Sequence, residues 1–128
     1  MTSPDFRVRR RQVGPVSVLS PIGELNVETT ATLSTATTTT LRRARAIVVD
    51  LSGLSFLDCH AVGALLTLAR QAEEGGARLQ VAALPDHVHQ LFSIFDLYGV
   101  LGGRRDVAAE CRVAISHLAA SRRVQVPA

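Results

Sequence analysis

Ile47-Val48-Val49-Asp50-Leu51-Ser52-Gly53-Leu54-Ser55-Phe56-Leu57-Asp58-Cys59-His60-Ala61-Val62-Gly63-Ala64-Leu65-Leu66 is the stretch whose reading decides the fold. It begins as a short β-branched run of low polarity, the pattern of a strand buried on both faces. Asp58 stands where strand gives way to helix, and a carboxylate there accepts bonds from the first free backbone N–H groups. Val62, Leu65, Leu66 and Ala69 then recur at three- and four-residue spacing and form an apolar helical stripe. Gly75-Gly76 ends that helix, because glycine takes the left-handed conformation beyond a C-terminus. Cys59 and His60 therefore fall in the first turn of a helix that leaves a buried sheet. Function is to be sought there first.

N-terminal to this stretch, Phe6 and Val8 alternate with Arg7 and Arg9, a half-buried strand whose arginines guard an edge. Gly14-Pro15 is a turn, and Val16 to Ile22 is a second strand, antiparallel to the first. Pro21 predicts a bulge or an unpaired end to that strand, since it has no N–H to give. Gly23-Glu24-Leu25-Asn26 closes it, with Asn26 as N-cap of the next helix and Glu28 in its first turn. Leu33, Thr37, Leu41 and Ala44 share one face of that helix. Its threonine-rich tract is weakly helix-forming, and a disordered linker is the alternative.

C-terminal to it, Arg78 to Ala83 reads as a strand. Pro85-Asp86 opens a helix with Val88, Leu91, Phe92 and Phe95 inward, and Gly99 ends it. Val100-Leu101 completes that packing unit or forms a very short strand. Asp106 caps a last helix carrying Val107, Cys111, Ala114, Ile115 and Leu118 inward. Met1 to Pro4 and the tail after Ser121 are expected to be loose. A hairpin followed by two strand–helix–strand crossovers makes one α/β domain spanning 1–128, its core at about 6–120, with a mixed sheet of four to five strands under about four helices.

At 128 residues and 47% apolar content the chain is long enough for an ordinary core without disulfides. No apolar run approaches the ~20 residues of a membrane span, and Met1 to Gln12, polar and arginine-rich, does not read as a secretory signal. With only two cysteines, the chain reads as cytoplasmic. Its net charge of +3 comes from arginines scattered along the chain, without lysine and almost without aromatic stacking residues, which argues against direct nucleic-acid binding.

Phosphate loops, Walker patterns and nucleophile elbows are absent, and no carboxylate pair is placed for acid–base work. Cys59 and His60 are neighbours, a poor geometry for one metal ion or for a nucleophile and its base. His87 and His89 point to different sides of their helix. The chain therefore reads as a non-enzyme without metal or cofactor. Cys111 is small core, whereas Cys59 lies where a helix dipole favours a thiolate and Asp58 opposes it.

The run Val48 to Asp58, followed by Val62-Gly63-Ala64-Leu65-Leu66, closely resembles the STAS domain of anti-sigma-factor antagonists. Gly23-Glu24-Leu25-Asn26 is similar to the family's Gly-Glu-Leu-Asp, and Leu91-Phe92 with Leu97 to Leu101 resembles its third-helix segment. The resemblance spans about 8–120. It implies a cytoplasmic partner-switching protein that binds an anti-sigma factor of histidine-kinase-like ATPase fold and frees a sigma factor. It also allows a homodimer. It implies partner contacts at Asn26, Asp58, Cys59, His60 and Val62. In the family a kinase phosphorylates the Ser or Thr directly after the motif Asp. That position is Cys59 here, followed by His60, and a thiol is no substrate for such a kinase. Two alternatives stand beside this reading: a STAS subunit of a lipid-transport ABC system, and a thiol redox sensor using Cys59.

Overall fold

The structure, a computed structural model, describes residues 5–124, with side chains through residue 120. Its elements are β1 (Arg7–Val13), β2 (Val16–Leu25), α1 (Thr30–Leu41), β3 (Ala46–Asp50), β4 (Leu54–Leu57), α2 (Cys59–Glu74), β5 (Arg78–Ala82), α3 (Asp86–Ile94), α4 (Tyr98–Leu101) and α5 (Val107–Val124). The sheet runs β1-β2-β3-β5, with β4 joined to β2 away from this path. β1 is antiparallel to β2 and every other pairing is parallel, so the sheet is mixed as expected.

β2 serves two partners in succession. Ser17 to Leu19 pair with β3, and Gly23 to Leu25 pair with β4. Pro21 lies between, where a missing N–H does least harm to the ladder. The register shifts between Gly23 and Glu24, which is the irregularity that Pro21 foretold. Gly23 has φ 115°, a conformation that glycine adopts freely. β4 itself goes unseen in the sequence, because Ser55 and Phe56 are both exposed between two buried leucines and the period-two signal vanishes.

The two faces of the sheet are covered unequally. Leu19, Ile47, Val49, Leu79 and Val81 pack in one core with Leu33, Leu65, Leu68, Phe92 and Leu101 of the first four helices. On the opposite face Val16, Val18, Ala46, Val48 and Ala82 meet Cys111 and Ala114 of α5. β3 is thus buried on both faces, which is why Ile47 to Val49 is a continuous apolar run.

The threonine tract is helix, not linker. Thr37 and Thr40 are buried, and their hydroxyls donate to the carbonyls of Leu33 (2.8 Å) and Ala36 (2.7 Å) one turn earlier. Back-bonding of this kind lets a hydroxyl enter a core without an unmet partner. The buried face accordingly consists of Thr30, Leu33, Thr37 and Thr40, with Leu41 only half-buried.

Four expectations about helix faces and ends are corrected. α3 stops at Ile94, and Asp96 at φ 53° turns the chain, whereas Gly99 lies inside α4. Phe95 follows the helix and is 55% exposed rather than inward. Ile115 is also exposed: it flanks the α5 contact line and leans toward the β1–β2 turn, 3.7 Å from where a side chain on Gly14 would begin. α5 continues past Ser121 to Val124, while Met1–Pro4 and residues 125–128 lie outside the described residues.

Candidate functional site

β2 and β4 end side by side. Leu25 pairs with Leu57, and the Asp58 N–H donates to the Leu25 carbonyl at 3.4 Å. Asn26 and Asp58, the residues after each strand, therefore open two helices from the same rim of the sheet. Asp58 has extended backbone, and its Oδ1 accepts from the Ala61 N–H at 2.8 Å. This is the N-cap that the sequence predicts.

Asn26 is not the N-cap of α1 that the sequence predicts; that position is Thr29, which makes no side-chain cap bond. The regular helix begins at Thr30, but Asn26 Oδ1 accepts from the N–H groups of Glu28 (2.9 Å) and Thr29 (3.2 Å) in the preceding turn. Thr29 replies: its Oγ1 accepts from the Asn26 N–H at 2.9 Å and donates to the Glu24 carbonyl at 2.7 Å. The exchange resembles a capping box with threonine in place of the usual Glu or Gln.

Cys59 and His60, the first residues of α2, are both exposed. Val62 is not: it is 7% exposed and belongs to the core with Leu65 and Leu33. That corrects its expected place among the partner contacts, because the stripe that makes α2 a core helix includes it. Two apolar residues at this rim escaped the sequence reading. Val27, beside Asn26, is 64% exposed, and Phe56, paired with Glu24, is 46% exposed. Large apolar side chains left in water next to a capped helix start are the usual makings of a protein contact. From His60 a groove runs between α1 and α2 over Thr30, Ser34, Gly63, Ala64 and Thr67.

The remaining chemistry-bearing side chains are dispersed. His89 Nδ1 lies 2.7 Å from the Tyr98 hydroxyl, and the Arg104 guanidinium stacks 3.9 Å over the Tyr98 ring. Among the described residues no three His, Cys, Asp or Glu side chains converge as a metal site. Burial raises the Cys111 thiol above its ordinary value; Arg11 works against the rise and Glu110 adds to it. No helix of the described residues is long and apolar enough to cross a membrane.

A family model described as "Mlab, STAS domain" matches residues 8–102, well over half of the chain. The chain belongs to the STAS domain family. Solved structures agree with the fold of this STAS domain. An anti-sigma factor antagonist from Mycobacterium paratuberculosis superposes with a TM-score of 0.77 at 19% identity, over 89% of this chain and 98% of that one. The antagonist SpoIIAA in its unphosphorylated form gives 0.68 at 21% identity, over 84% and 96%. The Bacillus SpoIIAA in its phosphorylated form gives 0.63 at 20%, over 84% and 98%. At these identities the likeness is one of architecture.

Proposed function

We propose that this STAS domain is a non-catalytic partner-switching protein, an anti-sigma-factor antagonist of the cytoplasm. It binds an anti-sigma factor of histidine-kinase-like ATPase fold through Asn26, Asp58, Cys59 and His60, with Val27 and Phe56 beside them, and so frees a sigma factor. The observation that carries this reading is the exposed Cys59–His60 pair at the capped start of α2, on a fold shared with antagonists. SpoIIAA has a phosphorylated form. Here the residue after the motif Asp58 is a cysteine, so partner binding escapes control by a Ser/Thr kinase at that position.

A second reading has one observation in its favour: the matching family is described by Mlab and not by an antagonist. In that reading the chain is the STAS subunit of a lipid-transport ABC system, and the same rim grips the ATPase. Affinity capture with the tagged chain in its own cells separates the two. An anti-sigma kinase retained by the parent and lost with His60→Glu supports the first. An ABC ATPase in its place supports the second, and neither partner at the rim overturns both.

A further inference from the structure

We infer that a cleft along the outer edge of β5 binds a small organic anion, an apolar body with a carboxylate or phosphate head held by Arg78. The cleft lies at the other end of α2 from the rim described above and owes nothing to it. β5 is the last strand of its sheet, with β3 on one side only. The C-terminal half of α2 and the middle of α5 wall in its outer edge, enclosing about 600 Å³. Pockets for small molecules commonly measure roughly 300–1,000 Å³.

The lining is divided by chemistry. Leu66, Ala69, Leu79 and Leu118 supply apolar surface, while Arg45, Arg70 and Arg78 supply three cations against one acid, Glu73. Among the described residues none of these arginines takes part in a salt bridge; the ion pair Arg105–Glu110 lies elsewhere. Arg78 Nε is buried with no hydrogen-bond partner. A buried donor left unmet is rare in folded proteins, and a guanidinium fork matches the paired oxygens of a carboxylate or phosphate. Arg45 stands next to it, since the Arg78 N–H donates to the Arg45 carbonyl at 2.9 Å.

An added peptide strand fits this edge poorly. In a parallel ladder the backbone groups of alternate residues face alternate neighbours, and the backbone N–H of Arg78 faces β3. Leu79 and Val81 are therefore the outward positions, and Val81 is already bridged to Gly102. One residue remains for pairing, too few to hold a strand. A compact ligand suits the space better.

The test is an NMR titration of the full chain, isotope-labelled, with octanoate, octyl phosphate and inorganic phosphate, each below any micelle concentration. Saturable shifts at Leu66, Arg78, Leu79 and Leu118 with either amphiphile support the proposal, and the tighter of the two identifies the head group. Arg78→Gln removes one charged donor set and should weaken binding about tenfold or more. Ala69→Phe fills the cleft and should abolish binding, which keeps the test informative if Arg78→Gln fails to fold in a thermal melt. The proposal is overturned if neither amphiphile gives saturable shifts, or if the shifts map to the α1–α2 groove. It also fails if inorganic phosphate binds as tightly as octyl phosphate, or if folded Arg78→Gln and Ala69→Phe both bind like the parent.

Discussion

The backbone N–H of Asp58 donates to the carbonyl of Leu25, and that single bond ties the start of α2 to the end of β2. It sets Asp58 abreast of Asn26 and makes one surface out of residues 32 positions apart in the chain. Asp58 caps α2, Asn26 caps the turn that leads into α1, and the two share no hydrogen-bond partner.

Asp58→Ala and Asn26→Ala should therefore each lower stability by about 1 kcal/mol, the usual worth of an N-cap. Their effects should add to within about 0.5 kcal/mol, as for independent sites. Urea unfolding of both single variants and the double variant measures this. A coupling well beyond that margin means that the two caps form one unit.

His60 and Val62 separate contact from core. His60→Glu alters an exposed residue and should leave the urea midpoint within about 0.5 kcal/mol of the parent while weakening partner capture. Val62→Glu forces a carboxylate into the core beside Leu65 and should unfold the domain or cost several kcal/mol. Circular dichroism on the two variants is the measurement, and a stable Val62→Glu protein removes Val62 from the core.

What the sequence made legible follows from where its signals are strong. Asp58, Gly75-Gly76 and Asp106 announce helix ends through chemistry confined to a few residues, and all three act as expected. The Ala77 N–H reaches the Ala72 carbonyl at 2.8 Å past Gly76 (φ 79°), and the Ala109 N–H reaches Asp106 Oδ1 at 2.7 Å. Phe95 and Ile115 mislead for a different reason. A 3.6-residue period identifies an apolar face but not how far the neighbouring element reaches across it. Only the packing of α5 on one side of the sheet leaves Ile115 outside, whereas the period did put Val62 on the buried stripe and only the family resemblance made it a contact. At the rim, Cys59 and His60 were visible through their motif. Phe56 was not, since its exposure depends on β4 pairing with β2.

The two thiols should react at very different rates. Cys59 is exposed and Cys111 is 1% exposed beneath the sheet. An aromatic disulfide reagent should titrate one thiol quickly in the native protein and two after unfolding in urea. Fast labelling of both under native conditions contradicts the packing of α5. Equal, slow labelling of both removes the redox-sensor reading of Cys59.

Cys111 should make the stability of the fold fall at alkaline pH. Burial holds its thiol above the ordinary value, so the folded chain keeps that proton to a higher pH than the unfolded chain does. The stability this contributes is fully present below the unfolded value and is lost as pH rises through the folded one. The urea midpoint should fall as pH is raised past about 9, and fall less in Cys111→Ala. That variant starts from a lower midpoint at neutral pH because it leaves a small cavity. Parallel declines in the two proteins show that Cys111 is not the titrating group.

The last prediction concerns the missing switch. With Cys59 in place, the cognate kinase and ATP should leave the protein unmodified at that position, and partner binding should not depend on ATP turnover. Cys59→Ser exchanges sulfur for oxygen at an exposed site and restores the hydroxyl that a Ser/Thr kinase uses, so the fold should survive. Phosphate there adds about −1.5 to −2 charges beside Asp58, and like-charge repulsion with desolvation opposes docking. The N-terminus of α2 offsets this by only about 0.3–1 kcal/mol at an exposed position. Cys59→Ser should therefore accept phosphate and, once modified, release its partner. His60 is bulkier than the small residue expected after the acceptor and stands in the kinase's path, so the double variant Cys59→Ser with His60→Ser removes that obstacle. Mass spectrometry after incubation with the kinase reads the outcome. If neither variant carries phosphate, the absence of a hydroxyl is not what frees this protein from the switch.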